Sequence, residues 1–385
     1  MNLDLSSAER QFRDEVRTWL EANVPREPQP HNGQAMRDFD LAWQRKQHEG
    51  GWAGIAWPKE YGGRGLSTAE QLIWFEESVK SGAPPVQSCL VGLYHGGPTL
   101  IVCGDEAQKS FHLSKILKGE VLWCQGFSEP GAGSDLAGLS TRAEIDGDEL
   151  VVTGSKIWTS YAHIADYQEL LVRTDPHSKK HAGLTWVICD MHMPGITVRP
   201  IPFLNGEHHF NQVFYDEVRI PITNVVGEIN GGWKTAMATL SFERGTAFTQ
   251  HQVILARTVD ALIDRAKTKT GADGKLIFSD TAVGRRLIRL RAETAALRAM
   301  TYLAVARNTR RNLPGPDGSM LKIKVGHLTQ EANRLAMELV GPDAVLMSDL
   351  TSDYLRSFAS TVSGGAHEIQ YNIVAQRVLG LPRQQ

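Results

Sequence analysis

The chain has 385 residues, 42% of them hydrophobic and 22% charged, and its 41 Lys and Arg against 43 Asp and Glu leave a net charge of −2. This is the balance of an ordinary globular protein, long enough for roughly two or three domains and a sizeable core. It excludes a general nucleic-acid binder, because phosphate contacts need a net basic surface; the arginines between Arg257 and Arg311 read as a solvated or interface face of helices.

The first residues, MNLDLSSAERQF, lack the basic and apolar regions of a signal peptide, so a cytoplasmic protein is expected. Residues 1–120 read as a helical domain. Ser6 and Glu9 have capping-box spacing, and Phe12, Val16, Trp19 and Leu20 then form one apolar stripe. GIAWPKEYGGRGLS (Gly54 to Ser67) interrupts the helices, because Pro58, Gly62, Gly63 and Gly65 cannot continue one. A helix from Ser67 carries Leu72, Phe75 and Glu76, and another runs from Glu106 to Leu117, closed by Gly119.

Residues 121–229 change character. The runs VLWCQGF, LVVTG, YQELLVRT, LTWVICDM and NQVFYDEVRI are short and rich in Val, Ile, Thr and Trp, and TRAEIDGDELVVTG reads as a hairpin. Such spacing without intervening helices predicts an antiparallel barrel or sandwich. Residues 230–385 return to helix, with Val283, Leu287, Leu290 and Leu297 on one face, a second stripe from His327 to Leu339, and a connection over Lys267 to Phe278. No window reaches the ~18 consecutive apolar residues of a membrane span. The four cysteines, Cys89, Cys103, Cys124 and Cys189, lack CxxC spacing and read as buried free thiols. Neither an HExxH nor a ligand cluster is present, and His208 and His209 fall in a predicted loop, so no metal is expected.

Four segments offer chemistry. SEPGAGSDL (Ser128 to Leu136) is glycine-dense but fails both the P-loop and the dinucleotide patterns, so a tight turn presenting backbone N–H groups and the Ser128 and Ser134 hydroxyls is expected. KIWTSYAHIAD sets Trp158 beside Thr159 and Ser160, either as a core tryptophan at a strand end or as a flat wall for a planar heterocycle. LSFERG puts Glu243 and Arg244 in an apolar helix, facing solvent or entering a cavity where desolvation raises a carboxyl toward general-base work. In TVSGGAHEIQYNIVAQRVLGLPR, Gly364 and Gly365 permit close approach or an unusual backbone conformation.

Taken in order, WPKEYGGRGLS, CGDEAQK, SEPGAGSDL, GSKIWTS, VFYDEVRIP, LSFERG and HEIQYNIVAQRVLG resemble the signatures of the acyl-CoA dehydrogenase family from Arg10 to Arg383. The resemblance implies an α+β multidomain protein: an N-terminal α-helical domain (1–120), a central antiparallel β-barrel or sandwich (121–229) and a C-terminal four-helix bundle (230–385), assembled as a tetramer. It implies FAD as cofactor and α,β-dehydrogenation of an acyl-CoA thioester, with electrons passed to an electron-transfer flavoprotein. By the same resemblance Gln125, Phe127, Ser128, Ser134, Trp158 and Ser160 line the flavin, Ser160 near N5. Ser134, Arg244 and Gly364 meet the substrate.

Family members carry the catalytic base at one of two positions. One corresponds here to Gly364, which has no side chain; the other corresponds to Glu243, which is therefore the expected base and is the position used for branched, long or bulky acyl chains. The family's Arg-x-x-Phe-Gly, which reaches a neighbouring subunit's FAD, aligns with Thr270, Asp273 and Gly274; its later Gln aligns with Thr281, and its adenosine-side Gln and Gly with Glu338 and Pro342. A missing Arg removes a bidentate phosphate contact. Lys267 or Lys269 could compensate for it. This departure implies a heteromeric partner, as in the α2β2 members of bacterial steroid side-chain breakdown. Two alternatives stay open: a flavin-poor structural or substrate-binding subunit, and an oxidase or monooxygenase on the same fold.

Overall fold

The computed structural model describes residues 4–85, 87–243, 249–271, 274–311 and 317–382. The capping box at the start forms as its spacing requires: Ser6 N donates to Glu9 Oε2 at 2.7 Å and Glu9 N to Ser6 Oγ at 3.2 Å. It opens α1 (Ser7–Asn23), whose Val16 and Leu20 are fully buried. After α1 come α2 (Gly33–Glu49), α3 (Thr68–Lys80), α4 (Gly97–Cys103) and α5 (Glu106–Leu117), the last started by a second capping box between Asp105 and Gln108. A π-helical turn, Gly92–Gly96, leads into α4.

Chain packing resolves two compact units. One takes the described residues of 18–67 and 81–244, the other those of 1–17, 68–80 and 245–385.

The first unit is built on seven strands: β1 (Trp123–Gly126), β2 (Arg142–Asp146), β3 (Glu149–Ser160), β4 (Tyr167–Arg173), β5 (Leu184–Asp190), β6 (Ile196–Ile201) and β7 (Phe210–Pro221). Their order is β1-β4-β2-β3-β7-β6, with β5 on β4. The sheet is mixed rather than purely antiparallel. β1 runs parallel to β4, and β2 meets β4 in one parallel pair, Arg142 with Arg173. The β2–β3 hairpin lies between β1 and β4 in sequence, long enough for the crossover that a parallel return requires. The strand not foreseen is β6: it is half-exposed, carries Pro200, and among the described residues pairs only with β7, as suits a proline-containing edge.

Alternate residues feed two cores, one on each face of the sheet. Leu171, Trp186 and Ile188 join Trp123, Leu100 and Leu117, while Leu170, Val172, Val187 and Cys189 join Val152, Val213 and Tyr215. Cys89, Cys124 and Cys189 are buried free thiols, and Cys103 is half-buried. The helix α6 (Gly232–Glu243) belongs to this unit and packs on β5.

The second unit packs α7 (Thr249–Thr268), α8 (Thr281–Arg311) and α9 (Asp317–Val340) about Leu255, Val259, Leu287, Leu297, Leu328 and Leu335. α3 lies against α7 and α8, and α10 (Asp349–Ser357) and α11 (His367–Arg377) against α9. The bundle thus recruits α3 from the N-terminal third. Buried Glu76 on α3 accepts from Arg298 Nε at 2.6 Å and from Tyr302. Burial pushes its carboxyl up, but the bonds and charge of Arg298 outweigh this and hold it below the usual range. No helix among the described residues is long and apolar enough to cross a membrane.

Candidate active site

The site begins where β1 ends. Glu129 N donates to Ala132 O and Ala132 N to Glu129 O, both at 3.0 Å, closing SEPGAGSDL into the expected tight turn. The Glu129 carboxylate turns inward and accepts from Lys156 Nζ at 2.9 Å, from Ser140 N and Oγ at 2.7 and 2.8 Å, and from Thr141 N at 2.8 Å. Lys156 has no exposed surface and also donates to Phe127 O at 3.1 Å. Desolvation works against both charges. For Glu129 the Lys156 charge and the several donors win, holding it down to about 2; for Lys156 burial wins, lowering it to about 8. Both residues lie inside segments singled out above, yet neither was given a role there; an acid in a glycine turn and a lysine within strand sequence were the available signal.

The outside of this turn is open. A Cβ at Gly131 or Gly133 would meet nothing within 4 Å, Ser134 is exposed, and Ser128 is half-buried with its carbonyl accepting from Ile157 N at 2.9 Å. Phe127 is buried in the core, so its backbone is what it presents. Behind the loop, Gln125 Nε2 donates to Glu169 Oε1 at 2.8 Å and approaches His95 Nδ1 at 3.5 Å. Glu169 sits opposite Gln125 in the β1–β4 register. Neither His95 nor Glu169 was legible as part of the site, because the contact joins distant segments.

At the end of β3 the register with β7 slips between Lys156 and Thr159. Trp158 there takes φ 61° and leaves 55% of its surface exposed, with its ring edge-on to Phe210 at 5.9 Å. It is not a core tryptophan; it is a flat face offered outward. Ser160, two residues on, is half-buried.

Glu243 is the last residue of α6. Its side chain, all of Arg244 and Asp273, and the side chain of Thr281 lie outside the described residues. α6 is seated firmly: a Cβ on Gly232 would come within 2.5 Å of Trp186 N, and Thr239 Oγ1, one turn before Glu243, shares a 2.9 Å hydrogen bond with Thr99 Oγ1. Gly364 and Gly365 take φ 62° and 91°, the left-handed conformations their residue type allows, and belong to the other unit.

Glu338, where the family resemblance expects a neutral adenosine-side residue, is paired with Arg286 Nη1 at 2.5 Å, and Arg286 also grips Glu331 at 2.9 Å. Lys269 donates to Leu339 O and Val340 O, closing the end of α9, and Lys267 lies over the Phe278 ring. No group of three metal-ligating side chains occurs among the described residues.

Family models for the acyl-CoA dehydrogenase N-terminal, middle and C-terminal domains match residues 6–120, 124–218 and 230–379. The chain is similar to the acyl-CoA dehydrogenase IpdE1 of Mycobacterium tuberculosis, 38% identical over 388 residues covering 97% of this chain and 98% of that one. Among solved structures it resembles the ChsE4–ChsE5 complex from Mycobacterium tuberculosis at 30% identity and TM-score 0.85, and the Tcur3481–Tcur3483 steroid acyl-CoA dehydrogenase at 31% and 0.86, each over 100% of both chains.

Proposed function

Because the chain belongs to the acyl-CoA dehydrogenase family, we propose that it is the catalytic subunit of a heteromeric enzyme that desaturates a bulky or branched acyl-CoA, of the kind derived from a steroid side chain. As a family member it is an oxidoreductase acting on acyl-CoA. The steroid assignment is supported by the Tcur3481–Tcur3483 enzyme and the heteromeric assembly by the ChsE4–ChsE5 complex.

The residues present fit FAD, the family's general cofactor: an outward indole at Trp158, half-buried Ser128 and Ser160, and an open glycine turn. When bound, FAD supplies the hydride acceptor. This chain's residues do the rest. Trp158 would offer its face to the planar ring, Ser128, Ser134 and Ser160 and the loop amides would hold polar edges, and Gln125 is steadied by Glu169. Glu243 takes the α-proton of the thioester; substrate closing over it excludes water and raises its basicity. An electron-transfer flavoprotein receives the electrons.

The exposed Trp158, two residues beyond the Lys156 that pairs with Glu129, carries this reading. The partner is supported by Thr270 in place of the phosphate-binding Arg and by the engagement of Glu338 with Arg286 and of Lys269 with the end of α9. Both are tested by purifying the chain alone and with a paralogous subunit, then measuring flavin content and ferrocenium-linked turnover of a CoA-thioester series. The expected result is weak FAD retention alone, one FAD per heterodimer with the partner, and turnover of branched or steroid-derived thioesters. A homotetramer with one tightly held FAD per chain overturns the heteromeric reading, and a partnered enzyme without flavin overturns the catalytic one.

A further inference from the structure

We infer that Asn211, on β7, is the positioning residue that holds Trp158 to Tyr161 in the conformation used by the site; this rests on the reading that Trp158 and Ser160 face the cofactor. The segment is strained. Of the four non-glycine residues with positive φ among the described residues, two are Trp158 at 61° and Tyr161 at 59°. Such conformations cost free energy for a residue with a Cβ, and persist only where neighbours over-determine them. The register slip between Lys156 and Thr159 removes ladder hydrogen bonds that would otherwise hold the strand.

Ile157 N donates to Ser128 O and Tyr161 Oη to Gln87 Oε1, and the carbonyl between them is held by one buried side chain. Asn211 is fully buried, directly opposite Thr159 in the β3–β7 register. Its Nδ2 donates to Thr159 O and to His209 O, each at 3.1 Å, and lies 3.1 Å from His163 Nδ1. The His209 carbonyl also accepts from Tyr161 N at 2.7 Å. One amide group therefore ties the carbonyl inside the segment to the carbonyl that receives its end. The opposite amide orientation would set Oδ1 against two carbonyl oxygens, so these contacts fix which way the side chain points. Asn211 is remote in sequence from every cofactor contact, yet it brackets the two residues most exposed to misalignment, Trp158 and Ser160.

The clamp is tested on the full chain by substitutions that remove the donors without adding charge, Asn211→Leu and Asn211→Ala. Backbone hydrogen exchange, read without cofactor, should rise about tenfold or more at Ile157 and Tyr161 and stay unchanged at Val152 and Val213. FAD titration should weaken by a similar factor, the worth of the two hydrogen bonds by which one amide ties Thr159 O to His209 O. A cycle with Tyr161→Gly isolates the cause, because glycine adopts the left-handed conformation freely: in that background the loss of Asn211 should cost several-fold less. Unchanged local exchange, exchange rising equally across β3 and β7, an equal cost in both backgrounds, or failure of both variants to fold would each overturn the clamp. The cofactor reading fails by a different result, unaltered FAD affinity in Trp158→Ala and Ser160→Ala.

Discussion

Lys156→Met removes the buried cation that pairs with Glu129. Its magnitude follows from the pair's own balance. The fall of Glu129 from an ordinary 4.5 to about 2 is a net of about 3 kcal/mol in favour of its ionised form, shared among Lys156, Ser140 and Thr141 and opposed by the burial that lowers Lys156 to about 8. Breaking a buried ion pair from one side costs about 3–5 kcal/mol in general. Here Ser140 and Thr141 go on donating to Glu129, which places the expected loss at the lower end, about 3 kcal/mol. Glu129→Gln and the double variant complete a cycle by urea denaturation followed through tryptophan fluorescence. The double variant should be less destabilised than the summed singles by about 1.5 kcal/mol or more. The pH dependence has a definite sign. A carboxyl held low stabilises the fold above pH 4.5, and that stability is lost as pH falls from about 4.5 toward 2. Glu129→Gln should therefore flatten the acid limb of the stability curve. Additivity within about 0.5 kcal/mol, with an unchanged acid limb, would refute the reasoning.

Two further predictions concern the cofactor wall and the helix bearing the base. Trp158→Ala should weaken FAD binding about tenfold while leaving the unfolding midpoint nearly unchanged, because more than half of the side chain is already exposed; equilibrium dialysis and a thermal melt read the two quantities separately. Gly232→Ala should cost about 1–3 kcal/mol and lower kcat, since a Cβ there falls 2.5 Å from Trp186 N and forces α6 off β5; a native-like melt with native kcat would show that α6 is not held at this point.

What was legible in the sequence was local. The Ser6–Glu9 cap and the helix Glu106–Leu117 are set by contacts within a few residues, and both appear as read. The cluster of glycines at Ser128 to Leu136 was rightly a turn, because its closure is a backbone bond from Glu129 to Ala132. Trp158 was not decided by its own segment. Its exposure depends on a register slip against β7, a strand more than fifty residues away, and only the ordered run of family motifs tipped the reading toward a ligand wall. β6 escaped because Pro200 and half-exposed alternate positions blur strand periodicity at a sheet edge. The supports of the site, Lys156 on Glu129, Glu169 on Gln125 and Asn211 on Thr159, were hidden for one reason: each is a side-chain bond between elements that pattern reading treats separately.

The most direct test of the account is flavin reduction by Glu243→Gln. The substitution is nearly isosteric and keeps a polar group at the end of α6, so FAD and acyl-CoA binding should persist. Anaerobic stopped-flow mixing of the FAD-loaded enzyme with a CoA thioester that the unaltered enzyme turns over isolates the chemical step. Loss of a general base typically slows that step by about 10²–10⁴-fold, and the account predicts a loss in that range with binding intact. Reduction at a near-native rate would contradict it, and would move the α-proton to some other acceptor than Glu243.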